Sequence, residues 1–354
     1  MRRGLKLLTL LAVVALVASA CGSDNKTGGT GATTGGAKTK VGLVYDLAGR
    51  GDHSFNDSAY EGLQKAQKDF PNIQVKDLTP VASGANREAL MRLLAQQGYS
   101  LVFGNGFAFG DSCAKVSKDY SNIKFACTDT GVADLIPTSN LVNLNFAANQ
   151  GSFLVGAAAA LKSQSGKVGF IGGVDTALIH DFQAGYEAGA KYVKHDIQVD
   201  VKYLTVEPDF TGFSDPAKGK EAALGMFQSG DDVIYHAAGG SGGGLFAAAV
   251  EYSKANNTHV WAIGVDGDQY GSASADQKPY ILTSMIKSVN VAVYDTIKDV
   301  LDGKFEGGTR LFGLKDGAIT YATSGGFIDD IKSKLENLKQ QIISGAITVP
   351  TGSS

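Results

Sequence analysis

The sequence predicts an α/β protein of two lobes, each built on a doubly wound parallel sheet. Three observations predict it. From residue 39 onward, short apolar runs alternate with Gly-rich turns and stretches of helical spacing; this alternation implies a parallel sheet with helices on its faces. The pattern restarts at 166–175, where "GKVGFIGGVD" has the form of "KVGLVYDLAG" at 40–49. The length, 354 residues, fits about two domains.

Ahead of the first strand stands a targeting segment. Arg2, Arg3 and Lys6 form a basic start, Leu7–Val17 an apolar run, and "ASAC" follows at 18–21. This reads as a secretory leader, too short for an ordinary membrane-spanning helix. Small residues directly before a Cys resemble a bacterial lipobox, with Ala18 where Leu is preferred. Cleavage then leaves a lipidated Cys21 at the new terminus; the alternative is a secreted chain with a free Cys21. Residues 22–38, "GSDNKTGGTGATTGGAK", cannot build a core and read as a tether. Such a tether spans about 20–25 Å r.m.s., enough for a body held at a membrane yet free to turn.

The body begins with a strand at "VGLVY" (41–45). A helix follows at 55–70, with Ala59, Leu63, Ala66 and Phe70 on one face and Ser54 or Asn56 as its cap. Strands are expected at 73–78, 100–105, 123–129 and 141–146, with helices at 84–97 and 110–119. In the second half, strands are expected at 166–175, 199–204, 232–238, 259–266 and 280–286. Helices fall near 176–192, 217–229 and 243–255.

The 32 basic and 35 acidic residues are interspersed, with no basic block. This gives no electrostatic footprint for nucleic acid. The His residues (53, 180, 195, 236, 259) lack metal-ligand spacing, so no metal is expected. "AAGGSGGGL" (237–245) is a Gly-rich strand-to-helix turn, but it lacks both the dinucleotide register and a phosphate-loop Lys. No cofactor is expected.

In open parallel sheets, ligands bind outside the carboxyl ends of the strands. Asp46, Asn105-Gly106-Phe107, Asp129, Gly172-Gly173, Asp175, Gly239-Gly240, Asp266 and Lys287 stand there. Any one Asp at such a place also reads as a helix cap; together the group favours a polar ligand. "YDLAGRGDHSFNDSAYEG" (45–62) adds Phe55 among acids and glycines. That ring either packs between turn and helix or is presented to a ligand. Cys113, early in a helix, and Cys127, near the end of the next strand, fall at the same sheet edge. A bridge between them is sterically feasible in an oxidising compartment; two small buried residues are the alternative.

Residues 39–325 resemble the basic membrane protein family of substrate-binding lipoproteins, of the purine-nucleoside-receptor type. The resemblance is carried by "VGLVYDLAGRGDHSFNDSAYEGL", "NQGSFLVGAAAA", "GKVGFIGG", "DPAKGKEAAL", "AAGGSGGGL", "AIGVDGDQY", "VAVYDTIKDVLDGKF" and "GLKDGAI", in that order. It implies a type I periplasmic-binding-protein fold, ribose-binding-like, with three crossover strands. Lobe one would be 39–146 plus 287–315, and lobe two 147–286 plus 316–354. It also implies a monomeric receptor, lipid-anchored on the outer face of the cytoplasmic membrane, that hands a purine nucleoside (guanosine, inosine or adenosine) to ABC transporter permease subunits. By the resemblance, Phe55 and Phe213 stack on the base and Asp129 reads its edge. Asp266 and Lys287 hold the ribose, and Asp46, Ser54, Asn56, Gly106 and Gly240 assist. Phe107 or Phe109, in "GNGFAFGDS", could share the stacking. The resemblance implies a binder, not an enzyme. Alternatives are another small ligand, such as a sugar or a different heteroaromatic, and a nucleoside hydrolase.

Overall fold

A computed structural model describes residues 38–130 and 138–352. The leader, Cys21 and residues 22–37 of the tether fall outside the described residues. The first half runs β1 (Thr39–Val44), α1 (Phe55–Asp69), β2 (Ile73–Leu78), α2 (Arg87–Gln96), β3 (Leu101–Asn105), α3 (Gly110–Asp119), β4 (Lys124–Thr128) and β5 (Leu141–Phe146). The second runs α4 (Ala148–Lys162), β6 (Lys167–Asp175), α5 (Ala177–Val193), β7 (Gln198–Val206), α6 (Pro216–Gln228), β8 (Val233–Ala237), α7 (Gly242–Asn256), β9 (Trp261–Asp266), α8 (Gln269–Ser272) and β10 (Ile281–Lys287). It ends with α9 (Val289–Leu301), β11 (Gly308–Phe312), β12 (Ile319–Tyr321) and α10 (Lys332–Ile343).

Two six-stranded sheets result, ordered β11-β5-β4-β3-β1-β2 and β12-β10-β9-β8-β6-β7. The second repeats the first, so β4 and β9 occupy equivalent places, as do β5 and β10. Pairing is parallel throughout except for β12, which runs antiparallel to β10 with Met285 opposite Tyr321. In β1, Val41 lies between Val75 and Leu101. Strands covered on both faces carry apolar residues throughout, and Val41, Leu43, Leu101, Phe103, Val168 and Phe170 are fully buried. The chain passes between the sheets three times: after β5, after β10, and between β11 and β12.

Two packing details position the site. Helix α4 has no polar face, because β8, β10 and β12 cover one side and α5 the other. Glycines let α4 and α5 approach backbone to backbone: a Cβ on Gly189 would fall 1.9 Å from the Phe153 carbonyl oxygen. This contact fixes α5, whose first turn faces the other sheet. A disulfide joins Cys113 of α3 to Cys127 of β4, their Cα atoms 6.6 Å apart. Of the two readings left open by the sequence, the bridge is the one formed.

Candidate functional site

Asp129 and Asp266 stand at equivalent places, just past β4 and at the end of β9. Both adopt left-handed backbone, with φ of +58° and +64°. Asp tolerates that region better than most residues, but it still costs about 1–3 kcal/mol. Surrounding bonds maintain it at Asp266. The Ser54 hydroxyl donates to Asp266 Oδ2 at 2.7 Å. The Val265 amide donates to Gln269 Oε1 at 2.9 Å, which also meets His236 Nε2 at 3.0 Å. Burial pushes the His236 imidazole down to about 4, so this support stays neutral.

Lys287, at the end of β10, lies between the two carboxylates. Its Nζ is 2.5 Å from Asp129 Oδ2 and 3.3 Å from Asp266 Oδ1. The three residues are only 4, 5 and 3 % exposed, taken as Asp129, Asp266 and Lys287. Burial alone would lower the lysine, but Asp129 and then Asp266 outweigh it and hold it above its ordinary value. Burial raises Asp129 against the pull of Lys287, and Asp266 adds to the rise. Asp129 Oδ1 is buried and has no hydrogen-bond partner among the described residues. Leaving such an acceptor unmet costs about 1–3 kcal/mol or more.

A second polar group sits at the end of β1. Asn56 Oδ1 accepts from the Asp46 amide at 3.0 Å and from Asn105 Nδ2 at 3.2 Å. Asn56 Nδ2 donates to Asp52 Oδ2 at 3.1 Å. Asp52 also accepts from the backbone N–H groups of Ser54, Asn56 and Asp57. It is therefore Asp52, not Ser54 or Asn56, that caps α1, reaching in from before the first turn. Burial raises its carboxyl to about 6 against the pull of those donors. Asp46 is likewise raised by burial, against the Leu47 amide and Arg87, whose Nη2 is 3.8 Å away. Gly106 makes room for Asp46: its φ is +126°, and a Cβ there would lie 2.8 Å from Asp46 Oδ2.

These groups and four Phe rings line a pocket between the sheets, with about 550 Å³ of empty space that is partly open to solvent. Phe55 and Phe107 come from the first half of the chain, Phe182 and Phe213 from the second. The structure thus brings Asp46, Phe55, Asn56, Gly106, Phe107, Asp129, Phe213, Asp266 and Lys287 to one cavity. Ser54 stands behind the wall and Gly240 beside it, where an added Cβ would lie 3.6 Å from Asp52 Cβ. Phe109 is fully buried in the packing between α3 and its sheet, with no face toward the cavity. Asp175 pairs with His180 at 2.6 Å instead. Sequence reasoning missed Asp52, Leu178, Ile179 and Phe182 as lining residues. The three apolar ones lie in the first turns of α5, past the strand end; the signal was "ALIHDF", apolar where a helix start at the cleft could have stayed polar.

The family description "ABC transporter substrate-binding protein PnrA-like" matches residues 38–353. The chain is 38 % identical over 362 residues to the ABC transporter nucleoside-binding protein BmpA of Lactococcus lactis, covering 96 % of each. It is 37 % identical over 354 residues to the CD4+ T-cell-stimulating antigen of Listeria innocua, covering 97 % of each. An ABC transporter solute-binding protein from Aeropyrum pernix has a similar structure, with TM-score 0.75 and 28 % identity, covering 88 % of this chain and 93 % of that one. A myo-inositol binding protein from Caulobacter, at 12 % identity and TM-score 0.61, shares the fold.

Proposed function

Because the chain belongs to the PnrA-like family of ABC transporter substrate-binding proteins, we propose that it captures purine nucleosides in this cavity and delivers them to membrane permease subunits. One observation carries the reading. A buried carboxylate oxygen without a donor, Asp129 Oδ1, belongs to a cavity walled by Phe rings from both halves of the chain. An ionised carboxylate only accepts hydrogen bonds. Its complement is a flat ligand with N–H donors on one edge, such as guanine (N1–H and N2–H₂), hypoxanthine (N1–H) or adenine (the N6 amino group). Each stack on an aromatic side chain contributes about 1–3 kcal/mol in comparable base-binding systems.

The sugar would take the other part of the site. Lys287 donates and Asp266 accepts, which suits ribose hydroxyls. Among the described residues, four carboxylates, Asp46, Asp52, Asp129 and Asp266, line the cavity against one lining cation, Lys287. That balance disfavours a 5′-phosphate, which adds about two negative charges. The name of the Lactococcus relative, a nucleoside-binding protein, supports the same class. The moving bodies would be 39–146 with 287–315, and 147–286 with 316–354. The receptor would act as a monomer, exported and lipid-anchored at Cys21.

Mass spectrometry of the supernatant after denaturing the purified protein tests this reading. A stoichiometric purine nucleoside is the expected finding; a sugar or an amino acid in its place would overturn it. Incubation with inosine, assayed for free hypoxanthine, separates a binder, which releases none, from a nucleoside hydrolase.

A further inference from the structure

The turn after β7, Phe210–Phe213, carries a Phe at each end. Phe213 lines the cavity. Phe210 instead meets Arg87, the first residue of α2, which packs against the other sheet. The Arg87 guanidinium carbon lies 5.6 Å from the Phe210 ring centroid and 5.8 Å from that of Phe109. These distances are within reach of a cation–π contact. The guanidinium is thus held between one ring from its own lobe and one from the opposite lobe, beside the cavity-lining Asp46.

Both partners are rigidly mounted. Gly212 packs so closely that a Cβ there would fall 1.9 Å from the Gly173 carbonyl oxygen. Its own carbonyl accepts from the Ser241 hydroxyl at 2.6 Å, and Asp209 Oδ1 accepts from the Thr211 amide at 3.0 Å. The turn therefore moves with the second sheet as one body. On the other side, Gly84 leaves the space that Arg87 fills: a Cβ at Gly84 would lie 2.3 Å from the guanidinium carbon. Arg87 Nη1 donates to the Gly84 carbonyl at 3.3 Å, while Nε and Nη2 are buried without a hydrogen-bond partner among the described residues, Nη2 standing 3.8 Å from Asp46 Oδ1. The guanidinium is thus placed by Asp46 and Phe109 on its own side and meets the Phe210 ring across the cleft.

We propose that Arg87 and Phe210 form a latch between the lobes that holds the closed state and sets how long a bound ligand stays. The turn makes closure and ligand stacking one event, since the same four residues bring Phe213 to the ligand and Phe210 to Arg87. For a nucleoside as the ligand, the proposal rests on the functional reading above. Opening the lobes breaks the contact, so its loss speeds release more than it slows capture.

A double-mutant cycle tests it, with Arg87→Met, Phe210→Leu and the double variant. Met keeps apolar bulk between the rings, and Arg87→Gln, also uncharged, replaces it should the Met variant not fold. Inosine release is followed by stopped flow. Coupling of about 2- to 5-fold in the off-rate is expected, with the double variant releasing little faster than the faster single. Effects that simply multiply, or no effect, overturn the latch. If the wild-type protein takes up no nucleoside, the functional reading has failed. The radius of gyration of the ligand-free protein then decides the latch by the same criterion: non-additive opening supports it, and additive or absent opening overturns it.

Discussion

Replacing Lys287 with Met removes the one cation between two buried carboxylates. Its Nζ sits 2.5 Å from Asp129 and 3.3 Å from Asp266, and all three residues are almost wholly buried. Breaking a buried pair by deleting one partner costs about 3–5 kcal/mol, because a charge is stranded away from water. Here two are stranded, close enough to repel each other. The variant therefore loses about 3–5 kcal/mol at pH 8, a large part of a typical total of about 5–15 kcal/mol. The loss depends on pH in a fixed direction. Burial already holds Asp129 above the ordinary carboxylate range, and without Lys287 it rises further. Between the unfolded and the raised folded value, the folded state holds more protons than the unfolded one, so stability falls as pH rises through that window. Urea denaturation of wild type and variant from pH 5 to pH 8 measures this. The deficit is greatest at pH 8 and shrinks toward pH 5 as Asp129 takes up a proton. A deficit that is absent, or the same at every pH, would refute the stranded-charge argument.

Asp129→Asn replaces the acceptor-only carboxylate by an amide and removes a charge-assisted bond of about 1.5–3 kcal/mol. Guanosine and inosine weaken by roughly one to two decades, a base presenting an acceptor weakens less, and Phe55→Ala weakens every nucleoside more evenly. Titration of guanosine, inosine, adenosine and uridine checks this; a uniform loss for Asp129→Asn would make Asp129 a structural residue. Gly106→Ala puts a methyl 2.8 Å from Asp46 Oδ2 at a φ of +126°. It should cost about 1–3 kcal/mol in stability and weaken ligand binding; thermal melts and affinities equal to wild type would show that Asp46 needs no such space. Replacing Cys113 and Cys127 together by Ser should cost about 3 kcal/mol, the loop-closure expectation for a loop near 15 residues, measured by urea denaturation of the oxidised parent and the variant.

The fold was legible wherever a strand or an amphipathic helix had a turn on each side. The alternating β2 and the buried β5 begin and end where the sequence predicts, as does α3 by its spacing. Helix α4 was not read as a helix, because burial on all sides removes the polar face that helical periodicity depends on. β12, three residues long, is too short for alternation to show, and β11, an edge strand reading "GTRLF", has no apolar run to mark it. The site was legible at strand ends, where topology alone places Asp46, Asp129, Asp266 and Lys287. What sequence could not give was the grouping of charges. Asp129 and Lys287 are 158 positions apart, and Lys287 is the common partner of Asp129 and Asp266. Asp52 was missed as the cap because it acts from before the helix start, through a turn shaped by tertiary contacts. Arg87 carried no signal: one Arg at a helix start looks like any solvated cation until the opposite lobe supplies a ring.

The most direct measurement is calorimetric titration of the ligand-free protein with inosine, guanosine, hypoxanthine and GMP under one buffer condition. Saturable one-to-one binding of inosine or guanosine is the expected result. Hypoxanthine should be weaker, because Asp266 and Lys287 lose their ribose partners. GMP should be weaker because its phosphate meets four carboxylates. GMP binding more tightly than guanosine, or no heat from any nucleoside while a sugar saturates the site, would contradict it.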